Sequence, residues 1–156
     1  MTAAMGSAGG IAAVAERYLR AVVSRGELDL VDEIFHEDHH LHFAPFADAP
    51  DGPAGVRQMV ESQRRAFRDL IMRIDDLLVV DDHVVVRGFV GGVNANPIRD
   101  LPVTGRSVMS PVMWWFRFDG GRIRETWLVI DRLEGALQMG MVVPAADATA
   151  PDPGWV

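Results

Sequence analysis

The apolar residues of this chain recur with one period in its first half and another in its second. Ile11, Val14, Ala15, Tyr18, Leu19 and Val22 fall three and four positions apart. That spacing lines one face of a helix and predicts one over residues 9–24, stopped by Gly26. Leu28, Leu30, Val31, Ile34 and Phe35 predict a short second helix. A short strand follows over 36–46, and Asp51-Gly52-Pro53 marks a turn. Val56, Met59, Val60, Gln63 and Phe67 share a side of a third helix over 55–70.

From residue 71 the period is two, the alternation of a strand with one buried face. Residues 71–80 and 83–93 form a hairpin about Asp81-Asp82, and 106–118 and 122–130 a second about Asp119-Gly120-Gly121. Residues 94–102 read as an irregular loop, and a final helix over 132–139 ends at Gly140. The stretches 1–9 and 143–156 are predicted to be disordered, which leaves one domain over 10–142. Helices first and an antiparallel meander afterwards is an α+β order. Three helices over one face of a curved sheet make a half-cone that encloses a ligand-sized pocket.

Composition narrows the chemistry. The net charge of −7 argues against nucleic acid or an anionic membrane as partner, and Arg64, Arg65 and Arg68 read as a solvated helix face. No uncharged apolar run reaches about 18 residues, so no membrane span is expected. The N-terminus lacks the basic start of a signal peptide, and the cytoplasm is the expected compartment. There is no cysteine and no lysine; all fifteen cationic side chains are arginine. Thiolate and Schiff-base mechanisms are therefore excluded, and arginine does not release a proton at neutral pH. Acid–base chemistry must rest mainly on Asp, Glu or His.

Asp131 stands out because it follows the apolar strand TWLVI. Asp-Arg-Leu-Glu at 131–134 fits a capping box, with Asp131 as N-cap and Glu134 three residues on. The other reading is a buried acid beside Trp127 and Val129 that transfers protons. His36-Glu37-Asp38-His39-His40 matches the H-E-x-x-H zinc pattern, but zinc needs both histidines on one face of a stable helix. Here the segment leaves a short helix for a strand, so no metal is expected.

Alternation puts His40, His42 and Ala44 on one side, Leu41 and Phe43 on the other. His42 is either a satisfied interfacial histidine or a hydrogen-bond donor and proton carrier. His83 follows a turn and reads as exposed. Trp114 and Trp115 point to opposite faces, Trp115 with Met113 and Arg117, Trp114 with Phe116 and Phe118. Either set could face the pocket. Trp127 has the parity of Asp131, so an internal Asp131 would place Trp127 on the same wall.

Four segments resemble one family in the right order. LDLVDEIFHEDHHLHFAP at 28–45 resembles its short helix and histidine-bearing strand. GPAGVRQMVESQRRAFRDL at 52–70 resembles its Gly-x-x-Gly-Val helix opening and Ala-Phe-Pro-Asp helix end, with Arg68 for the proline. LPVTGRSV at 101–108 resembles its Pro-Pro-Thr-Gly-Arg turn, and FRFDGGRIRETWLVIDRLEGALQMG at 116–140 its Asp-Gly and Glu-x-Trp block. The chain is thus identified as similar to the SnoaL-like polyketide cyclases of the nuclear transport factor 2-like superfamily, over about residues 11–140.

The resemblance implies a cone-shaped fold, a curved antiparallel sheet packed against three N-terminal helices. It implies a cofactor-free cyclase on an apolar polyketide-like intermediate. Asp131 would be the acid/base of an intramolecular aldol closure and His42 its pocket histidine. Asn94 stands where the family often has a second histidine, and Thr126 replaces the histidine of Glu-His-Trp. Asn94, Trp115, Trp127, Met113 and Phe67 are the expected substrate contacts. A homodimer through the outer sheet face, with Trp114 or Phe116 exposed there, is expected too. Related folds carry out isomerisation, dehydration, epoxide hydrolysis and cofactor-independent hydroxylation, so those reactions and a non-catalytic ligand-binding module remain open.

Overall fold

In the computed structural model, which describes residues 8–141, helices lie over one face of a five-stranded sheet. Residues 1–7 and the tail predicted over 143–156 lie outside the described residues, and Ala8 and Gly9 already belong to the first helix. That helix, α1 (Ala8–Arg17), continues as a π-helical stretch over Tyr18–Ser24. Tyr18, Leu19, Ala21, Val22 and Val23 are all buried in it. The Ser24 hydroxyl donates to the Leu19 carbonyl at 3.0 Å and accepts from the Met72 amide at 2.9 Å, fastening the helix end to the sheet. A 3₁₀ turn (Leu28–Leu30) leads into α2 (Val31–Ile34) and β1 (Phe35–His42). A second 3₁₀ turn (Ala44–Phe46) precedes α3 (Pro53–Ala66), whose N1 proline presets its helical φ.

The meander is β2 (Phe67–Val80), β3 (His83–Asn94), β4 (Ser107–Asp119) and β5 (Arg122–Ile130), closed by α4 (Arg132–Met139). The sheet order is β1-β5-β4-β3-β2, antiparallel throughout except that β1 runs parallel to β5. Gly140 ends α4 in the left-handed conformation at φ 72°. Among the described residues no helix is long and apolar enough to cross a membrane.

Two boundaries differ from the sequence reading. α3 stops at Ala66, not at residue 70, because the Ala66 carbonyl accepts from the Ala95 and Asn96 amides and Phe67 pairs with Asn94 on β3. Leu70 keeps the helical spacing, so the period alone does not reveal the switch. β1 stops at His42 because Pro45 sits in the 3₁₀ turn just beyond it.

The helices pack on the sheet face that carries Val108, Ser110, Val112, Trp114, Phe116 and Phe118 of β4, all buried. Tyr18 meets Phe35, Trp114 and Phe116 edge-on at 4.8, 5.6 and 5.9 Å between ring centroids. Trp114 and Phe116 are therefore core residues, and the expectation that one of them marks the outer face is corrected. The outer-face aromatic of β4 is Trp115, 50% exposed.

The sheet bends where β2 breaks register between Arg68 and Ile71. Opposite, a Cβ on Gly91 would lie 1.9 Å from the Val108 carbonyl oxygen, and one on Gly92 2.5 Å from that of Arg68. Only glycine permits so close an approach. α4 crosses this end of the sheet, and the Gln138 carboxamide accepts from the Met109 amide (2.8 Å) and donates to its carbonyl (3.2 Å), as a neighbouring strand would.

Candidate functional site

The bend leaves a cavity of about 510 Å³ between α3, α4, the end of the sheet and the loop after β3. Each element supplies its share because its inward period ends there. The last turn of α3 brings Ser62, Gln63, Arg65 and Ala66; β2 brings Phe67 and Leu70. β3 and β4 bring Val90, Val108 and Ser110, and β5 and α4 bring Ile130, Arg132, Gly135 and Met139. Phe43 and Phe46 stack at 5.9 Å on another wall, and Pro97, Ile98, Arg99 and Leu101 come from the loop.

The interior is apolar, with Leu70, Val90, Val108 and Met139 buried. Two neutral polar groups interrupt it. Ser110 is buried beneath α4, which comes so close that a Cβ on Gly135 would lie 2.6 Å from its hydroxyl. Gln63 has a buried Oε1 with no hydrogen-bond partner among the described residues. The charged lining residues, Arg65, Arg99 and Arg132, are all cationic and exposed; no carboxylate and no imidazole lines the cavity among the described residues.

Asp131 caps α4. Its Oδ1 accepts from the Glu134 amide at 2.9 Å, and its own amide donates to the Pro111 carbonyl at 2.9 Å. The capping box is only half formed, because Glu134 accepts from Gln138 at 2.8 Å instead of reaching back. Asp131 is exposed and does not line the cavity, although its chain neighbours Ile130 and Arg132 do. The burial expected for an internal acid is absent, because β5 ends at Ile130 and the chain has already left the sheet.

Four other expected site residues lie on the opposite face of the sheet. His42 pairs in register with Trp127, and Trp127 with Trp115, so strand pairing carries all three outward together with Met113. His42 stacks on Trp127 at 4.7 Å with planes 1° apart, and its Nε2 lies 3.9 Å from the Glu125 carboxylate. Trp115 donates from Nε1 to His83 Nδ1 at 2.8 Å. The Arg117 guanidinium, 3.0 Å from Glu125, holds that carboxyl below its ordinary range. The assignment of His42, Met113, Trp115 and Trp127 to the pocket is corrected: the helices cover the other face.

Asn94 is also corrected. It is fully buried and its carboxamide is occupied, donating to the Asn96 carbonyl (2.9 Å) and accepting from the Thr104 amide (2.8 Å) and hydroxyl (3.2 Å). It pins the loop, so a ligand oxygen would have to displace these bonds. Phe67 alone of the expected contacts lines the cavity. Arg64, read as part of a solvated face, donates to the Val23 and Ser24 carbonyls at 3.0 and 2.7 Å and caps the first helix.

The sequence reading passed over His39. Its ring is buried against Phe35, and its Nε2 is 2.9 Å from the Thr126 hydroxyl. Burial, reinforced by the nearby His40 and His42, lowers its pKa to about 4. The signal was available, since the alternation that turns Leu41 inward does the same for His39. In the H-E-x-x-H stretch, His36 faces Arg124 and His40 faces Asp51, because an extended strand sets residues four apart about 13 Å from each other. Among the described residues no group of His, Asp and Glu is placed to hold a metal ion.

Helices over a bent, unclosed sheet with a cavity at one end define the nuclear transport factor 2-like class of α+β cone. The family model of SnoaL-like polyketide cyclases matches residues 13–139, and the chain belongs to that family. TsrD from Streptomyces laurentii superposes with a TM-score of 0.79 at 24% identity, over 87% of this chain and 98% of that one. AclR, a candidate hydroxylase from Streptomyces galilaeus, gives 0.73 at 21% identity over 88% and 100%. A SnoaL-like polyketide cyclase from Agrobacterium tumefaciens gives 0.69 at 22% over 83% and 98%. No curated protein matches the chain in sequence. Family and fold together support a cyclase or a related role.

Proposed function

We propose that the protein is a cofactor-free cyclase that takes an apolar, carbonyl-bearing natural-product intermediate into the cavity and closes a ring there. The carrying observation is the apolar enclosure at the bend of the sheet, large enough for a small polycyclic molecule. Ser110, and the Gln63 amide, supply neutral donors to carbonyl oxygens. Asp131 is the carboxylate that falls between two lining residues in the chain, and its Oδ2 accepts no hydrogen bond from the described residues. Reaching in from the rim, since it does not itself line the cavity, it would remove a proton alpha to one carbonyl; the enolate carbon would attack a second carbonyl, and the proton would return to the new alkoxide. Isomerisation, dehydration, epoxide opening and hydroxylation are the alternative chemistries of this reading.

Asp131→Asn tests it, because asparagine caps a helix as well as aspartate does. Ligand that co-purifies with the protein is identified by mass spectrometry, and its precursor is offered to both forms. Turnover should fall by about a hundredfold or more with binding retained. Unchanged turnover removes Asp131 from the mechanism. A second reading, a non-catalytic binding module, is favoured by the lack of any lining carboxylate or imidazole among the described residues; it predicts a bound ligand that the wild type returns unaltered.

The working form we propose is a homodimer through the outer sheet face. Ile71, Leu78, Val80, Met113, Trp115 and Val129 leave that face unusually apolar. Light scattering that finds only monomer at high concentration refutes it.

A further inference from the structure

We infer that the cavity selects an anion: an apolar molecule whose one polar end is an ionised carboxylate, held at the rim by Arg65, Arg99 and Arg132. The inference rests on the cavity being the ligand site, as in the proposed function, and does not need ring closure. The three arginines come from separate elements, α3, the loop after β3 and α4, and reach the same space. They are exposed while the apolar floor is buried, so the cavity is amphiphilic from rim to interior.

Nine of the twelve arginines away from the rim pair with carboxylates; among the described residues Arg64, Arg106 and Arg122 do not. The chain carries 22 acidic residues against 15 arginines. Arg17, Arg20, Arg25, Arg57, Arg68, Arg73, Arg87, Arg117 and Arg124 all have carboxylate partners. Arg65 and Arg132 have none among the described residues, and Arg99 donates only to the Pro45 carbonyl, at 3.3 Å. Asp100 and Asp131 adjoin two of these arginines in the chain, yet neither pairs with them or lines the cavity.

Local structure opposes two of these placements. Arg132 occupies the first turn of α4, where the helix dipole disfavours a cation. Arg99 holds a left-handed backbone at φ 54°, a conformation that glycine adopts without strain. An anion at the rim offsets the first of these, since it meets the arginines and the positive end of α4 together; the strain at Arg99 is steric and stays. Guanidinium matches carboxylate with paired N–H donors.

The test compares naphthoate with its uncharged methyl ester by titration calorimetry on the full chain. Naphthoate should bind about tenfold more tightly at low salt, and that advantage should shrink as salt screens an exposed rim. Arg65→Gln, Arg99→Gln and Arg132→Gln should each weaken naphthoate about threefold, the triple variant more, with ester affinity and melting curve unchanged. An ester that binds as well as the acid overturns the inference while leaving the cavity as a binding site. Naphthoate that binds the triple variant undiminished overturns it, as does failure of naphthoate to bind at all. The proposed function is decided separately, by turnover in the Asp131→Asn protein.

Discussion

His39 is 1% exposed, packed on Phe35 and bonded to Thr126, and its folded pKa lies near 4 against 6.5 for an ordinary imidazole. The largest cause is loss of water around the ring; His40 and His42 push the same way, and Asp51 and Glu125 push back. Above 6.5 the folded and unfolded chains both hold the ring neutral, so His39 adds no pH dependence. As pH falls from 6.5 toward 4, the unfolded chain takes up a proton that the folded one refuses, and stability drops. Below about 4 both states are protonated and the loss levels off. The whole interval corresponds to about 3 kcal/mol, of which about 2 kcal/mol falls between pH 7 and pH 5. His39→Gln keeps a nitrogen donor for Thr126 and removes the titration. Urea unfolding followed by tryptophan fluorescence should show the wild type losing about 2 kcal/mol more than the variant over that range. Glu125 and Asp75, whose carboxyls lie below their ordinary values, lose their contributions at lower pH and in both proteins. Parallel stability curves for the two proteins would refute the assignment.

Asp131→Ala should cost about 1 kcal/mol in thermal unfolding through loss of the cap, whereas Asp131→Ser should cost a few tenths. Asn94→Ala strips the Thr104 amide and the Asn96 carbonyl of their partners and should cost about 2–3 kcal/mol, with faster hydrogen exchange confined first to residues 95–106. Trp114→Ala should cost about 3–5 kcal/mol of stability. Trp115→Ala should leave monomer stability within about 1 kcal/mol and weaken the proposed dimer, read by sedimentation.

Much of the architecture is legible in the chain because its causes are local. Alternation from Ile71 onward and the Asp-Gly-Gly turn at 119–121 specify both hairpins to within a residue or so, except for the start of β2, which lies four residues earlier at Phe67, and Gly140 ends α4 where its left-handed φ requires. The cap at Asp131 is a contact three residues long and is read from Asp-Arg-Leu-Glu alone. The end of α3 is less visible, since Phe67 and Leu70 suit either period and only pairing with β3 decides between them.

The candidate site is the part that sequence alone does not determine. Alternation separates Trp114 from Trp115 but does not say which of them the helices cover. That depends on where α1 and α3 pack, a choice made by contacts between residues far apart in the chain. Once Tyr18 settles against Trp114 and Phe116, strand register carries His42, Trp127 and Trp115 to the outside together. The cavity likewise exists only because β2 breaks register opposite Gly91 and Gly92 and α4 folds back over Ser110. Its three arginines are separated by over thirty residues along the chain at each step, and no local pattern relates them. Local periodicity encodes which residues share a face; only the packed whole decides what that face meets.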